Sequence, residues 1–176
     1  MKFEKHLKNT GLYGIIFTAS NGDKYLRTGR NGNVLARVPA GFAPVGQPTT
    51  LNLEGWIDEI LVNGAEDLCT ARLFAAKVEK DGKAKDIRRV WADVISPDAV
   101  GKRRCEIDNT AFGLIERGDD VRIFDPSFDC FIDPDDLEPI DELVPAEGSE
   151  MIIPALVILD RDETVVGIIF EPRWED

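Results

Sequence analysis

At 176 residues the chain is long enough for one domain, and a hydrophobic content of 43% supplies a core. The net charge of −12 opposes long-range attraction to a polyanion, and three cysteines with no C-x-x-C argue against a disulfide framework or a thiolate zinc site. The longest apolar run, from Met151 to Leu159, is interrupted by Pro154 and falls short of the ~18 residues a membrane span needs.

The first residues, Met1-Lys2-Phe3-Glu4-Lys5-His6, lack the apolar core of a signal peptide, which predicts a cytoplasmic protein with a mobile N-terminus. Leu12 to Thr18 is apolar and rich in β-formers, and Asn21-Gly22 then supplies a hairpin turn. Lys24 to Thr28 follows, then a second Asn-Gly at Asn31-Gly32, then Val34 to Val38. Two such turns between alternating segments predict a β-meander, and Lys24, Arg27, Arg30 and Arg37 make it basic.

Gly41 to Thr50, with Pro44, Gly46 and Pro48, reads as a loop. Leu53, Trp56, Ile57, Ile60 and Leu61 recur at helical spacing, with Asn52 as the N-cap and Asn63-Gly64 as the stop. The Leu51/Leu53 alternation leaves a strand open at the start of this stretch. A second hairpin runs through Leu73 to Val78, a turn at Asp81-Gly82, and Ile87 to Ile95, with Val90, Ala92 and Val94 on one face. A short helix is expected from about Thr110 to Glu116, stopped by Gly118, and a strand from Val121 to Phe124. Ile152 to Leu159 and Thr164 to Phe170, joined at Asp160-Arg161-Asp162-Glu163, form a final hairpin. Its nearly unbroken apolar character predicts central strands buried on both faces.

Between these last elements the pattern changes. From Asp119 to Glu150 the sequence holds 12 acidic residues against the single Arg122, whereas residues 1–50 carry 7 basic and 2 acidic groups. Pro126, Pro134, Pro139 and Pro145 break every period over about 125–150. Yet Phe128, Phe131, Ile132, Leu137, Ile140, Leu143 and Val144 are interleaved, which a solvated acidic tail would not need. The expectation is an ordered acidic loop, pinned by its apolar residues and turning its carboxylates outward. The fold class expected is α+β: a single domain over 1–176, predominantly antiparallel β-sheet (meander plus hairpins) with one or two short helices.

Carboxylates are the one reactive group in abundance. Asp125, Asp129, Asp133, Asp135 and Asp136 offer oxygen ligands of the kind calcium and magnesium prefer, but their spacing does not fit the EF-hand loop. Pro97-Asp98 followed by Glu106-Ile107-Asp108 lacks the lysine of a Pro-Asp/Glu-x-Lys nuclease. Walker, dinucleotide-binding, G-x-S-x-G and H-E-x-x-H motifs are absent. A Cys-His nucleophile would require His6, the only histidine, to reach across the fold to Cys69, Cys105 or Cys130. The sequence thus assigns no catalytic residue, no metal ligand and no cofactor, and leans away from an enzyme.

The function expected is that of a non-enzymatic interaction protein. Asp125, Asp129, Asp133, Asp135, Asp136, Glu138, Asp141 and Glu142 would pair with Lys and Arg of a basic protein, with Phe128, Phe131 and Leu137 as apolar anchors. A nucleic-acid-processing enzyme inhibited by occupancy is the natural partner class, and direct nucleic-acid binding is disfavoured by the net charge. Duplex DNA presents one charge per ~1.7 Å of axis. An extended segment charged at every third residue presents one per roughly 10 Å, so a single-stranded groove or a few basic sites is the less demanding target. Compact size and missing catalytic motifs resemble the small accessory proteins of phages and mobile elements. Two alternatives stand beside this reading. One is a structural subunit of a virion or homo-assembly, with the acidic belt of one copy on the basic meander of the next. The other is a divalent-metal-dependent hydrolase built on the Asp cluster.

Overall fold

Five consecutive apolar residues, Ala155 to Leu159, form a strand whose side chains are at most 3% exposed, and the rest of the sheet is arranged about it. Side chains alternate along a strand, so Ala155, Val157 and Leu159 enter one core while Leu156 and Ile158 enter another on the opposite face. Burial on both faces explains why no polar residue interrupts the run. The computed structural model describes residues 1–10, 14–28, 34–42, 49–53, 55–65, 68–80, 83–95, 104–124, 155–170 and 173–174.

Among the described residues three helices and eleven strands occur. They are α1 (Phe3–Thr10), β1 (Gly14–Thr18), β2 (Lys24–Thr28), β3 (Val34–Arg37), β4 (Thr49–Asn52), α2 (Trp56–Asn63) and β5 (Cys69–Lys80). There follow β6 (Lys83–Ile95), β7 (Arg104–Ile107), α3 (Asn109–Phe112), β8 (Asp120–Phe124), β9 (Ala155–Leu159), β10 (Val165–Phe170) and β11 (Arg173–Trp174). All strands join one sheet in the order β11-β7-β6-β5-β8-β9-β10-β3-β2-β1-β4. Neighbours run antiparallel except β1 and β4, which are parallel with Ile15 beside Thr49 and Thr18 beside Asn52.

The molecule is therefore mostly strand, in one mixed sheet that includes a parallel pair, where the sequence suggested an antiparallel meander plus hairpins. The parallel pair depends on the chain crossing from β3 to the far side of β1 through residues 38–48, a long-range event with no local signature. It also moves the helix boundary. Asn52 is the last residue of β4 rather than a helix cap, and α2 begins after Gly55. The helix stops as expected at Gly64, whose amide donates to the Ile60 carbonyl at 2.9 Å. The expected helix at 110–116 is shorter and earlier: α3 spans Asn109–Phe112, and the Asp108 carboxylate accepts from the Thr110 amide at 2.7 Å. The Asn31-Gly32 turn and the Asp81-Gly82 turn lie outside the described residues.

Each face of the sheet has its own cover. Trp56, Ile57, Ile60 and Leu61 of α2 pack against Tyr25, Leu35, Val157, Ile168 and Phe170. On the other face α3 contributes Ala111 beside Val121, Ile123, Leu156 and Ile158, while α1 contributes Phe3 and Leu7 beside Ile16, Leu26 and Ala36. Helix α1 replaces the mobile terminus expected from the sequence. Phe3, His6 and Leu7 stand at i, i+3 and i+4 and share the face turned to the sheet. The Lys2 amide donates to the Leu114 carbonyl at 2.7 Å, tying this segment to the turn after α3.

Candidate docking surface

Phe124, the last residue of β8, is paired with Ala155, the first of β9, so residues 125–154 leave and return to the sheet at adjacent positions near its centre. Those residues hold ten carboxylates and no Lys, Arg or His. All eleven docking residues expected from the sequence lie in this connection: Asp125, Asp129, Asp133, Asp135, Asp136, Glu138, Asp141, Glu142, Phe128, Phe131 and Leu137. They fall outside the described residues, as does Cys130.

What is described is the base on which the connection stands. The Trp56 indole stacks on Phe124 with ring centroids 4.7 Å apart and planes 8° from parallel. Phe170, the last residue of β10, meets the same indole edge-on at 6.2 Å. The Arg27 guanidinium caps the outer side, 5.4 Å from the Phe170 centroid. Trp56, Phe124 and Phe170 thus form an aromatic footing, contributed by a helix and two central strands, next to both ends of the acidic connection. Aromatic rings packed in this way bury much area, and each pair adds about 0.5–1.5 kcal/mol beyond that burial.

The two carboxylates immediately before the connection are satisfied within the molecule. Asp119 lies 2.8 Å from the Met1 ammonium and also accepts from the Glu116 amide at 2.8 Å. Asp120 holds Arg122 through a 2.8 Å hydrogen bond, and Arg122 reaches on to the Leu68 carbonyl at 3.3 Å. Of the acidic stretch 119–150, then, its first two members serve folding. The basic side is likewise reduced. Arg37 pairs with Asp23 at 3.1 Å and Arg27 rests on Phe170, while Lys24 is exposed and Arg30 lies outside the described residues. Beside Lys24 and Arg37 an open groove of about 550 Å³ is floored by Phe3, Val38 and Phe42.

Two buried groups have displaced proton affinities. His6 is fully buried, and burial pushes its pKa below the usual histidine value, against the opposing effect of its 2.9 Å hydrogen bond with the Leu26 carbonyl. That bond ties Nε2 of the ring to the backbone of β2. Tyr25 is raised to about 12, first by burial and then by the Asp23 carboxylate, with Arg37 acting in the opposite sense. Cys105 is buried and Cys69 half-buried, and no disulfide joins the two. Among the described residues no three His, Cys, Asp or Glu side chains converge on a common point that would hold a metal, and no helix is long and apolar enough to cross a membrane.

Neither the aromatic footing nor the internal partners of Asp119 and Asp120 are evident in the sequence. Phe124 and Phe170 were legible as strand residues, but their meeting at Trp56 depends on where α2 crosses the sheet. No family model, curated protein or solved structure matches the chain.

Proposed function

We propose that the chain is a non-enzymatic, cytoplasmic interaction protein whose acidic connection docks on the basic surface of a protein that normally binds nucleic acid, inhibiting it by occupancy. The observation that carries this reading is the charge of residues 125–154: ten carboxylates with no internal cation, interleaved with Phe128, Phe131 and Leu137. Exposed ion pairs contribute little each, so the anionic residues set orientation and association rate while the apolar anchors hold the complex. Two features of the described residues support it. Both ends of the connection are fixed at neighbouring strand ends, and those ends rest on stacked aromatic rings.

The test is recovery of bound protein from the host lysate on the immobilised full chain, followed by competition of that complex with nucleic acid. Retention is expected to fall steeply as salt rises, to fall again when Asp133, Asp135, Asp136 and Glu138 are replaced by their amides, and to be displaced by nucleic acid. Recovery that ignores both salt and the amide substitutions refutes the mechanism.

A further inference from the structure

Strand β4 forms one rim of the sheet, and its four residues, Thr49, Thr50, Leu51 and Asn52, are all exposed. Its inner side is occupied by β1: Phe17 stands beside Leu51, and the Leu53 amide donates to the Thr18 carbonyl at 2.8 Å. Backbone directions alternate along a strand, so Thr49, Leu51 and Leu53 turn their amides and carbonyls toward β1. Thr50 and Asn52 therefore each direct one N–H and one C=O away from the sheet, where no further strand lies among the described residues. Side chains alternate as well. Leu51 shares the α2 face with Phe17 and Ile15, and Leu51 and Ile15 are 46% and 38% exposed.

Rims of this kind are commonly guarded by Lys, Pro or a bulge, because an open edge templates another strand. Here the rim reads Thr-Thr-Leu-Asn, uncharged and without proline. We propose that the β4 rim is a self-association site at which a second copy of this chain adds its own β4, antiparallel, across a two-fold axis passing beside Leu51.

The register follows from the outward groups. Thr50 and Asn52 of one copy face Asn52 and Thr50 of the second copy, closing four N–H···O=C bonds. Leu51 then lies opposite Leu51 of the second copy at the non-hydrogen-bonded position, where facing side chains approach most closely. The two exposed leucines cover each other. A second copy is favoured over a foreign strand because the rim is self-complementary: the same residues supply every donor, every acceptor and the apolar cover, and no charge on the rim meets its like. So short a pairing falls well below the ~1,600 Å² of a standard stable interface, and the dimer is accordingly weak. Each copy carries −12, so screening strengthens this contact, the opposite of what salt does to docking on a basic partner.

Sedimentation equilibrium of the full chain over a wide concentration range is expected to show a monomer–dimer equilibrium that moderate salt shifts toward dimer. Thr50→Pro removes an outward donor and sets a ring on the pairing side while leaving the contact with β1 in place. Leu51→Lys sets like charges opposite one another at an exposed position that folding tolerates. Each is expected to lower the association constant at least about tenfold, and circular dichroism verifies that the sheet is retained. Leu51→Cys is expected to form a disulfide-linked dimer under mild oxidation where the unsubstituted chain and Thr49→Cys do not. A chain that stays monomeric at every concentration and salt, or a dimer indifferent to both Thr50→Pro and Leu51→Lys, overturns the proposal.

Discussion

A β-carbon added to Gly167 would stand 2.9 Å from the Leu35 carbonyl oxygen, across the pairing of β10 with β3, and would strike the Met1 thioether as well. A methionine side chain can swing away, but a carbonyl in a strand ladder cannot retreat without loosening the ladder. Gly167→Ala is expected to destabilise the protein by about 1–3 kcal/mol, seen as a lower urea midpoint at unchanged slope. Gly22 offers the contrast: its φ is +89° and nothing lies within 4 Å of an added β-carbon. Gly22→Asn is expected to cost less than about 1 kcal/mol, because Asn tolerates positive φ and meets no neighbour.

Acid should act on this protein earlier than its carboxylates alone would require. The folded state lowers the pKa of His6 below the ordinary 6.5, so the unfolded chain takes up the proton first. Stability is full above that ordinary value and declines as pH falls from it toward the depressed folded value. The chain has one histidine, so this decline belongs to His6 and should flatten in His6→Gln. Thermal melts at half-unit steps between pH 7.5 and about 5.5 check it, a range above the titration of ordinary carboxylates.

The alkaline side has its own marker. Tyr25, held neutral by burial and by Asp23, titrates near 12, so stability is full below the ordinary tyrosine value of 10.0 and is lost as pH rises through the folded one. Phenolate absorbance should show one of the chain's two tyrosines ionising late, together with unfolding, and Tyr25→Phe should remove that late step.

Trp56 is expected to respond to substitution in proportion to ring contact rather than polarity. Its indole nitrogen is buried with no hydrogen-bond partner among the described residues, so the N–H adds no stabilising bond there. Trp56→Phe, which keeps a ring over Phe124, should cost about 1 kcal/mol, while Trp56→Ala should cost about 3 kcal/mol. Denaturant titration followed by circular dichroism separates the two.

The parts of the fold that could be read in advance are those set by local pattern. The apolar run at 155–159 and its partner at 165–170 are central strands because nothing polar interrupts them. The Asn21-Gly22 turn joins β1 to β2 because glycine takes the positive φ. Helix α1 is masked in the sequence by the charged Glu4, Lys5 and Lys8, although Phe3, His6 and Leu7 carry a helical stripe. The pairing of β4 with β1 and the ion pair of Asp119 with the Met1 ammonium are long-range facts, fixed by where distant segments dock, whereas Asp120 finds Arg122 two residues along its own strand. The aromatic base of the candidate surface belongs to the same category, and its charge alone was legible from composition.

Because Phe124 and Ala155 face each other across one rung, the thirty residues between them could be excised and the gap closed by an Asn-Gly dipeptide. A chain closed in that way should keep the pairing of β8 with β9 while losing ten carboxylates, so one variant separates the sheet from the proposed docking.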